Sequence, residues 1–305
     1  MANYVIKRVL LAVVTLWLVA TITFALMNLV PGGPFLSEKT PSEATLKALN
    51  EKYGLDQPLI VQYKNYMEKM IKGDMGPSLK QRGRTVNQII SNGFKVSARV
   101  GGISILVAIL IGVPLGSIAA LNRGKWIDNS IIVISTCGIA VPSFVVSTVL
   151  MMILSVKLNL LPTYGLSSPL HYIMPVLALS FYPSSYITRL MRSSMLEVLG
   201  QDYMRTANAK GLSQFKMLFK HALRNAILPV VTYLGPLLAY TLTGSFVVEK
   251  IFTIPGLGND FISSIINRDY TLIMGTTIFL AALIITMNLM VDIAYKLIDP
   301  RIKLK

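Results

Sequence analysis

Apolar runs too long for a soluble core set the pattern of this chain. Residues 9–30 form a first run of 22 positions without a charge, and residues 100–121 form a second. Others cover residues 130–156, 172–188, 226–248 and 270–291. An α-helix rises about 1.5 Å per residue, so about 20 apolar residues cross the hydrocarbon core of a bilayer. The pattern therefore predicts an all-α polytopic membrane protein with six transmembrane helices, of which 172–188 is the shortest. Pro114, Pro142, Pro175, Pro183, Pro229 and Pro236 fall in or beside these runs. Proline is tolerated there because neighbouring helices re-satisfy the carbonyls it frees.

The first run is longer than the apolar region of about 7–15 residues in a signal peptide. It ends in Val30-Pro31-Gly32-Gly33-Pro34 and follows Lys7 and Arg8, so it reads as a retained anchor. Residues 31–97 then carry helix signals. Thr40-Pro41-Ser42-Glu43 predicts a capping box with proline at the first helical position, and Gly54 closes that helix. Asp56 is the expected cap of a second helix, from Pro58 to about Lys72, with Gly73 as its stop. Its residues Leu59, Tyr63, Tyr66 and Met70 share one face. Such a segment packs over span ends, or gates or docks against an outer partner.

Orientation follows from the short loops. Lys7 and Arg8, Arg123 and Lys125, the stretch 189–224 and the stretch 296–305 are basic and alternate with loops that hold only Lys157, Lys250 and Arg268. The positive-inside rule then puts both termini in the cytoplasm of a cell with this protein in its inner membrane. The 31–97 segment lies outside; it is basic but long, and long segments cross regardless of charge. The expected organisation is an N-terminal membrane helix (1–30), an extracytoplasmic helical segment (31–97) and a five-helix core (98–305) with a cytoplasmic loop at about 189–225.

That loop is the most informative stretch. Asp202 is the expected cap of a short helix that Gly211 terminates, and Ser213 the cap of another. In the second helix Leu212, Phe215, Phe219, Ala222, Leu223 and Ala226 cluster on one face, beside a stripe of Lys216, Lys220 and Arg224. From the residues alone two roles stand open. One is an ordinary interfacial helix that snorkels its lysines among lipid headgroups; the other is a helix–turn–helix knob that seats in a partner protein.

Composition narrows the class. The chain of 305 residues is 53% hydrophobic and 14% charged, against about 25% charged for a soluble domain. The net charge of +15 is accounted for by cytoplasmic loops, without nucleic acid. Cys137 sits in an apolar run, forms no internal disulfide and reads as a packing residue. No Gly-x4-Gly-Lys-[Ser/Thr], His-Glu-x2-His or Gly-x-Ser-x-Gly motif occurs. Neither a cofactor site, a metal site nor a catalytic residue is expected. An ion-coupled transporter would place carboxylates near the bilayer centre. Here Arg99, Glu249 and Asp292 sit at span ends and read as interfacial anchors or a loop ion pair. A purely structural scaffold is the third reading, and the knob-like loop speaks against it.

The loop sequence Asp202-Tyr203-Met204-Arg205-Thr206-Ala207-Asn208-Ala209-Lys210-Gly211-Leu212-Ser213, followed by 221–231, resembles binding-protein-dependent ABC importer permeases of the oligopeptide/dipeptide group. In that family this is the "EAA" loop, whose helices dock on cytoplasmic ATPase subunits. Arg205-Thr206-Ala207 stands where the general pattern has Glu-Ala-Ala, and Gly211 is in place; the Arg-Thr-Ala form is similar to the peptide branch. Tyr53-Gly54-Leu55-Asp56-Gln57-Pro58-Leu59, Gly138-Ile139-Ala140-Val141-Pro142-Ser143-Phe144, Ile254-Pro255-Gly256-Leu257-Gly258, Asn267-Arg268-Asp269-Tyr270 and Ile298-Asp299-Pro300-Arg301-Ile302 extend the resemblance to the B-type subunit along the chain. It implies a type I ABC importer permease-like fold, a second homologous permease subunit, two cytoplasmic ATPase subunits, an extracytoplasmic substrate-binding protein and a peptide substrate. Nickel or metal chelates and glutathione are the alternative cargoes of the family. It also implies that Tyr203, Arg205, Thr206, Ala207, Lys210, Gly211, Leu212 and Phe215 form the ATPase-coupling surface.

Overall fold

The computed structural model describes residues 2–30, 33–35, 42–213, 217–242 and 245–298. These are helical throughout, apart from loops and one isolated bridge between Pro77 and Thr85. The helices are α1 (Ala2–Leu29), α2 (Glu43–Tyr53), α3 (Leu59–Ile71), α4 (Val86–Leu121), α5 (Trp126–Ala140), α6 (Ser143–Leu150) and α7 (Leu170–Leu199). There follow α8 (Asp202–Ala209), α9 (Leu223–Ala226), α10 (Leu228–Leu242), α11 (Phe246–Ile251), α12 (Leu257–Ile266) and α13 (Tyr270–Ile298).

Among the described residues, three helices are long and apolar enough to cross a membrane, over Ile6–Leu29, Val86–Leu121 and Tyr270–Val291. Two bent pairs bring the number to five. The expected span 130–156 is one of these pairs: α5 and the stretch Ser143–Lys157 meet at 103°. Pro142 causes the break, since it has no N–H to give and pushes Val141 into an extended conformation (φ −86°, ψ 121°). The other pair, Met217–Ala226 with Leu228–Thr241, bends by 46°. Residues 172–188 lie in α7, which at 30 residues is long enough to cross but less apolar than the other five. Its neighbours explain this: α7 buries Met174, Ser180, Ser184, Ser185, Thr188, Met191 and Ser194 along its length. A helix enclosed by protein does not need lipid-compatible side chains.

Two compact units result. One holds the described residues up to Val96 together with Pro255–Thr286. In it α1 meets α3 through a 2.7 Å hydrogen bond between the hydroxyls of Thr21 and Tyr63 and an edge-on contact of Phe24 with Tyr63. Asp269, 1% exposed, organises the loop before α4. Its carboxylate accepts from the hydroxyl of Ser78, from the N–H of Leu79 at 3.1 Å and from Thr271 and Leu272 at 3.1 and 3.3 Å. One side chain thus caps α13 and pins the 78–80 turn. The capping expected further upstream is shifted. Ser42, not Thr40, caps α2, and α3 begins after Pro58 without a side-chain cap from Asp56. Thr40 and Pro41 lie outside the described residues. Gly54 and Gly73 do end their helices at positive φ, 68° and 75°.

The other unit holds Ser97–Ile254 and the last helix from residue 287 on. Here α4 crosses α7 at two glycines one turn apart. A Cβ on Gly112 would lie 2.7 Å from Ile187 Cγ2, and one on Gly116 would lie 2.5 Å from the Thr188 carbonyl. The backbones touch because these residues carry nothing, as helix pairs in membranes often require. Gly138 does the same for α5, which approaches Ser185 of α7. Cys137, expected to pack, is exposed beside it. A half-buried ion pair joins the two helices further along: Arg192 Nε and Nη2 reach Asp128 Oδ1 and Oδ2 at 2.6 and 2.7 Å. Asp128 is 1% exposed and also accepts from the N–H of Gly124 at 2.9 Å.

Candidate functional site

The candidate residues of the 189–225 loop begin where α7 stops. After Gly200 the chain turns, and the Gln201 carbonyl accepts from the N–H groups of Met204 and Arg205 at 3.0 and 3.4 Å. Asp202 is therefore inside the first turn of α8, not its cap. Its carboxylate still suits the positive end of the helix dipole and faces Arg205 at 3.4 Å. Both side chains are exposed, so this pair contributes little to stability.

Met204 decides how α8 is held. At 3% exposed it is the one described side chain of α8 that is buried. It inserts into a core made by Met191 and Met195 of α7, Ala222, Ala226 and Val230. Tyr203, Arg205 and Thr206 face outward on the same helix, and so do Lys210 and Gly211 after it. A second tie comes from Asn225, whose Nδ2 donates to the Tyr203 hydroxyl at 2.9 Å. Gly211 has φ +73°, a left-handed conformation that side chains make costly, and open space surrounds the position a Cβ would take. Backbone geometry, not crowding, is what calls for glycine there. Leu212 is half-buried. Phe215 lies outside the described residues, as does Lys216, and the side chains of Ala207 and Lys220 are likewise not described.

The second helix of the knob differs from the expected α-helix. Met217–Ala222 is π-helical and passes into α9. The wider turn rotates side chains off the 3.6-residue pattern. Ala222 and Ala226 remain fully buried, but Phe219, placed on the apolar face by α-periodicity, is 51% exposed. Glu249, taken as an interfacial or loop group, is 2% exposed, and the Ser97 hydroxyl donates to it at 2.7 Å. The side chain of Asp292 is outside the described residues. Sequence reasoning missed two buried groups, Met204 and Asp128, and the half-buried Arg192 that pairs with the latter. The first had a signal, a lone large apolar residue in an otherwise polar short helix.

The arrangement presents polar and cationic side chains on a short helix rooted by Met204. Residues 112–304 match the family model of the binding-protein-dependent transport system inner membrane component. Residues 1–102 match the N-terminal model of the same membrane components. The chain belongs to this family. Its relatives include the dipeptide transport system permease protein DppB of Bacillus subtilis, 48% identical over 100% of this chain and 99% of that protein. The oligopeptide permease OppB of Haemophilus influenzae is 41% identical, over 99% and 100%. That of Salmonella typhimurium is 39% identical over the same shares. A chain of the inward-facing MetNI methionine ABC transporter superposes with a TM-score of 0.51. It has 16% identity and covers 68% of this chain and 96% of its own length, a likeness of fold. This family member is a multi-pass inner-membrane permease of the ABC importer fold.

Proposed function

We propose that this permease is the membrane-spanning subunit of an ATP-driven peptide importer. The observation that carries the reading is full-length similarity, at 48% identity, to a dipeptide permease. A second homologous permease completes the translocation path, two ATPase subunits act from the cytoplasm, and an extracytoplasmic binding protein delivers the peptide. Both termini are cytoplasmic, residues 31–97 lie outside, and residues 98–305 make the permease core. The subunit carries no chemistry of its own. Tyr203, Arg205, Thr206 and Lys210 form the face on which an ATPase seats, with Ala207, Leu212 and Phe215 completing it. Force applied to α8 passes through Met204 into Met191 and Met195, and so into α7. Rigid-body movement of packed helices is how such a push becomes alternating access.

The test is uptake by the reconstituted complex. Proteoliposomes holding both permeases, the ATPases and the binding protein should accumulate labelled dipeptide only when ATP is supplied on the ATPase side. In the same vesicles, with Cys137→Ser, a cysteine at Lys64 should react with an impermeant reagent from the binding-protein side and one at Lys210 from the ATPase side. Uptake that survives without ATPases and follows an ion gradient would refute the reading, and reversed labelling would refute the orientation.

A further inference from the structure

The unit built around α7 contains a cavity of about 590 Å³, within the range of small-ligand sites. It opens beside the α5–α6 break, between the middle of α7 and the second half of α10. No charged residue lines it. Its polar groups are all hydroxyls, from Ser143, Tyr182, Tyr233, Tyr240, Thr241 and Ser245. Pro142, Pro183 and Pro236 also stand in its wall. Pro183 and Pro236 withdraw a backbone donor from α7 and α10, and Pro142 stands in the α5–α6 break, so the regular packing of rods is interrupted where the cavity lies.

The tyrosines are arranged as a file. Tyr182 and Tyr186 stack with ring centroids 6.3 Å apart, and Tyr186 meets Tyr233 at 4.4 Å. Neither the Tyr182 nor the Tyr233 hydroxyl makes a hydrogen bond among the described residues. In helices that cross a membrane, polar groups without partners are costly and are kept where a polar ligand or water meets them. A phenol both donates and accepts. A peptide main chain offers an N–H and a C=O at each residue, so it matches a file of phenols regardless of side chains. An uncharged wall likewise does not discriminate between acidic and basic side chains. From this geometry we infer that the cavity is a subsite on the translocation path that holds the main chain of a short peptide through Tyr182 and Tyr233. The inference rests on the peptide-importer reading.

The experiment uses the complete reconstituted transporter with binding protein. Tyr182→Phe/Tyr233→Phe keeps both rings, and so the packing, while removing the two hydroxyls. Uptake of a labelled tripeptide below saturation should fall about five-fold or more, the order set by lost neutral hydrogen bonds, with ATPase co-purification unchanged. A benzophenone-bearing tripeptide, irradiated during turnover, should form adducts within residues 179–186 or 233–245 of this chain that excess unlabelled peptide suppresses. If the wild-type complex moves no peptide, the importer reading and the subsite fall together. If it moves peptide while the double variant matches wild type, or the adducts map only elsewhere, the subsite alone is overturned. The cavity then belongs to a lipid chain or the neighbouring permease.

Discussion

Arg192 and Asp128 meet through two short parallel hydrogen bonds at a site where Asp128 is almost wholly buried. Removing the arginine leaves the Asp128 carboxylate without its counter-charge, which is destabilising. Arg192→Gln should therefore lower the unfolding temperature of the purified permease in detergent by several degrees. Arg192→Gln/Asp128→Asn should recover most of the loss, because no charge is then stranded. Equal destabilisation in the single and double variants would show that the pair is not what joins α5 to α7. Asp260 is a second informative acid. It lies where α12 packs on Gly93, whose missing Cβ would sit 2.7 Å from the carboxylate. Burial pushes its pKa from 3.8 up to about 6, against the pull of Arg84. The folded chain thus holds a proton that the unfolded chain releases earlier. Stability contributed by that proton is present below 3.8 and is lost as pH rises to about 6, with no further change above. Thermal unfolding across this window should show the decline in the wild type and a flatter profile in Asp260→Asn.

Elements are where the sequence was most and least legible. The apolar runs located α1, α4 and α13 because lipid contact requires uniform apolarity over a full crossing, and the glycine stops at Gly54, Gly73 and Gly211 held because left-handed φ is a local demand. Local rules also found α8, though not its start, since backbone geometry at Gln201 competes with the Asp202 side chain for the same role. The π-helical Met217–Ala222 was invisible to a search that assumes 3.6 residues per turn. The 103° break at Pro142 was signalled by the proline, but its size depends on how α5 and α6 pack on α7. The α4–α7 crossing is a tertiary fact carried by Gly112 and Gly116. It yields a sharp expectation: Gly116→Val drives a side chain into the Thr188 carbonyl and Met191. Overpacking of that kind costs about 1–3 kcal/mol or more. The fraction of monodisperse permease in fluorescence size-exclusion should fall clearly, whereas Ile118→Val, at an exposed position of the same helix, should leave it unchanged.

At the scale of the molecule, α7 is the shared member. It receives Met204 from α8, the glycines of α4, the ion pair to α5 and the file of tyrosines, so the loop and the wall of the cavity share one helix. That continuity was beyond sequence reading, because Met204, Arg192 and Tyr182 share no local motif; only folding brings them onto a common support. We propose that α8 is the surface through which ATP hydrolysis reaches this helix, with Gly211 as its most sensitive position. A branched side chain at φ +73° costs about 1–2 kcal/mol and reorients the turn after α8. The direct measurement is co-purification of the ATPase subunits with Gly211→Val and Ala207→Trp, normalised to permease in the membrane, together with peptide-stimulated ATP hydrolysis. Both variants should insert at wild-type levels yet lose most of the ATPase or of the stimulation. Full ATPase retention with full peptide uptake in both variants would contradict the account.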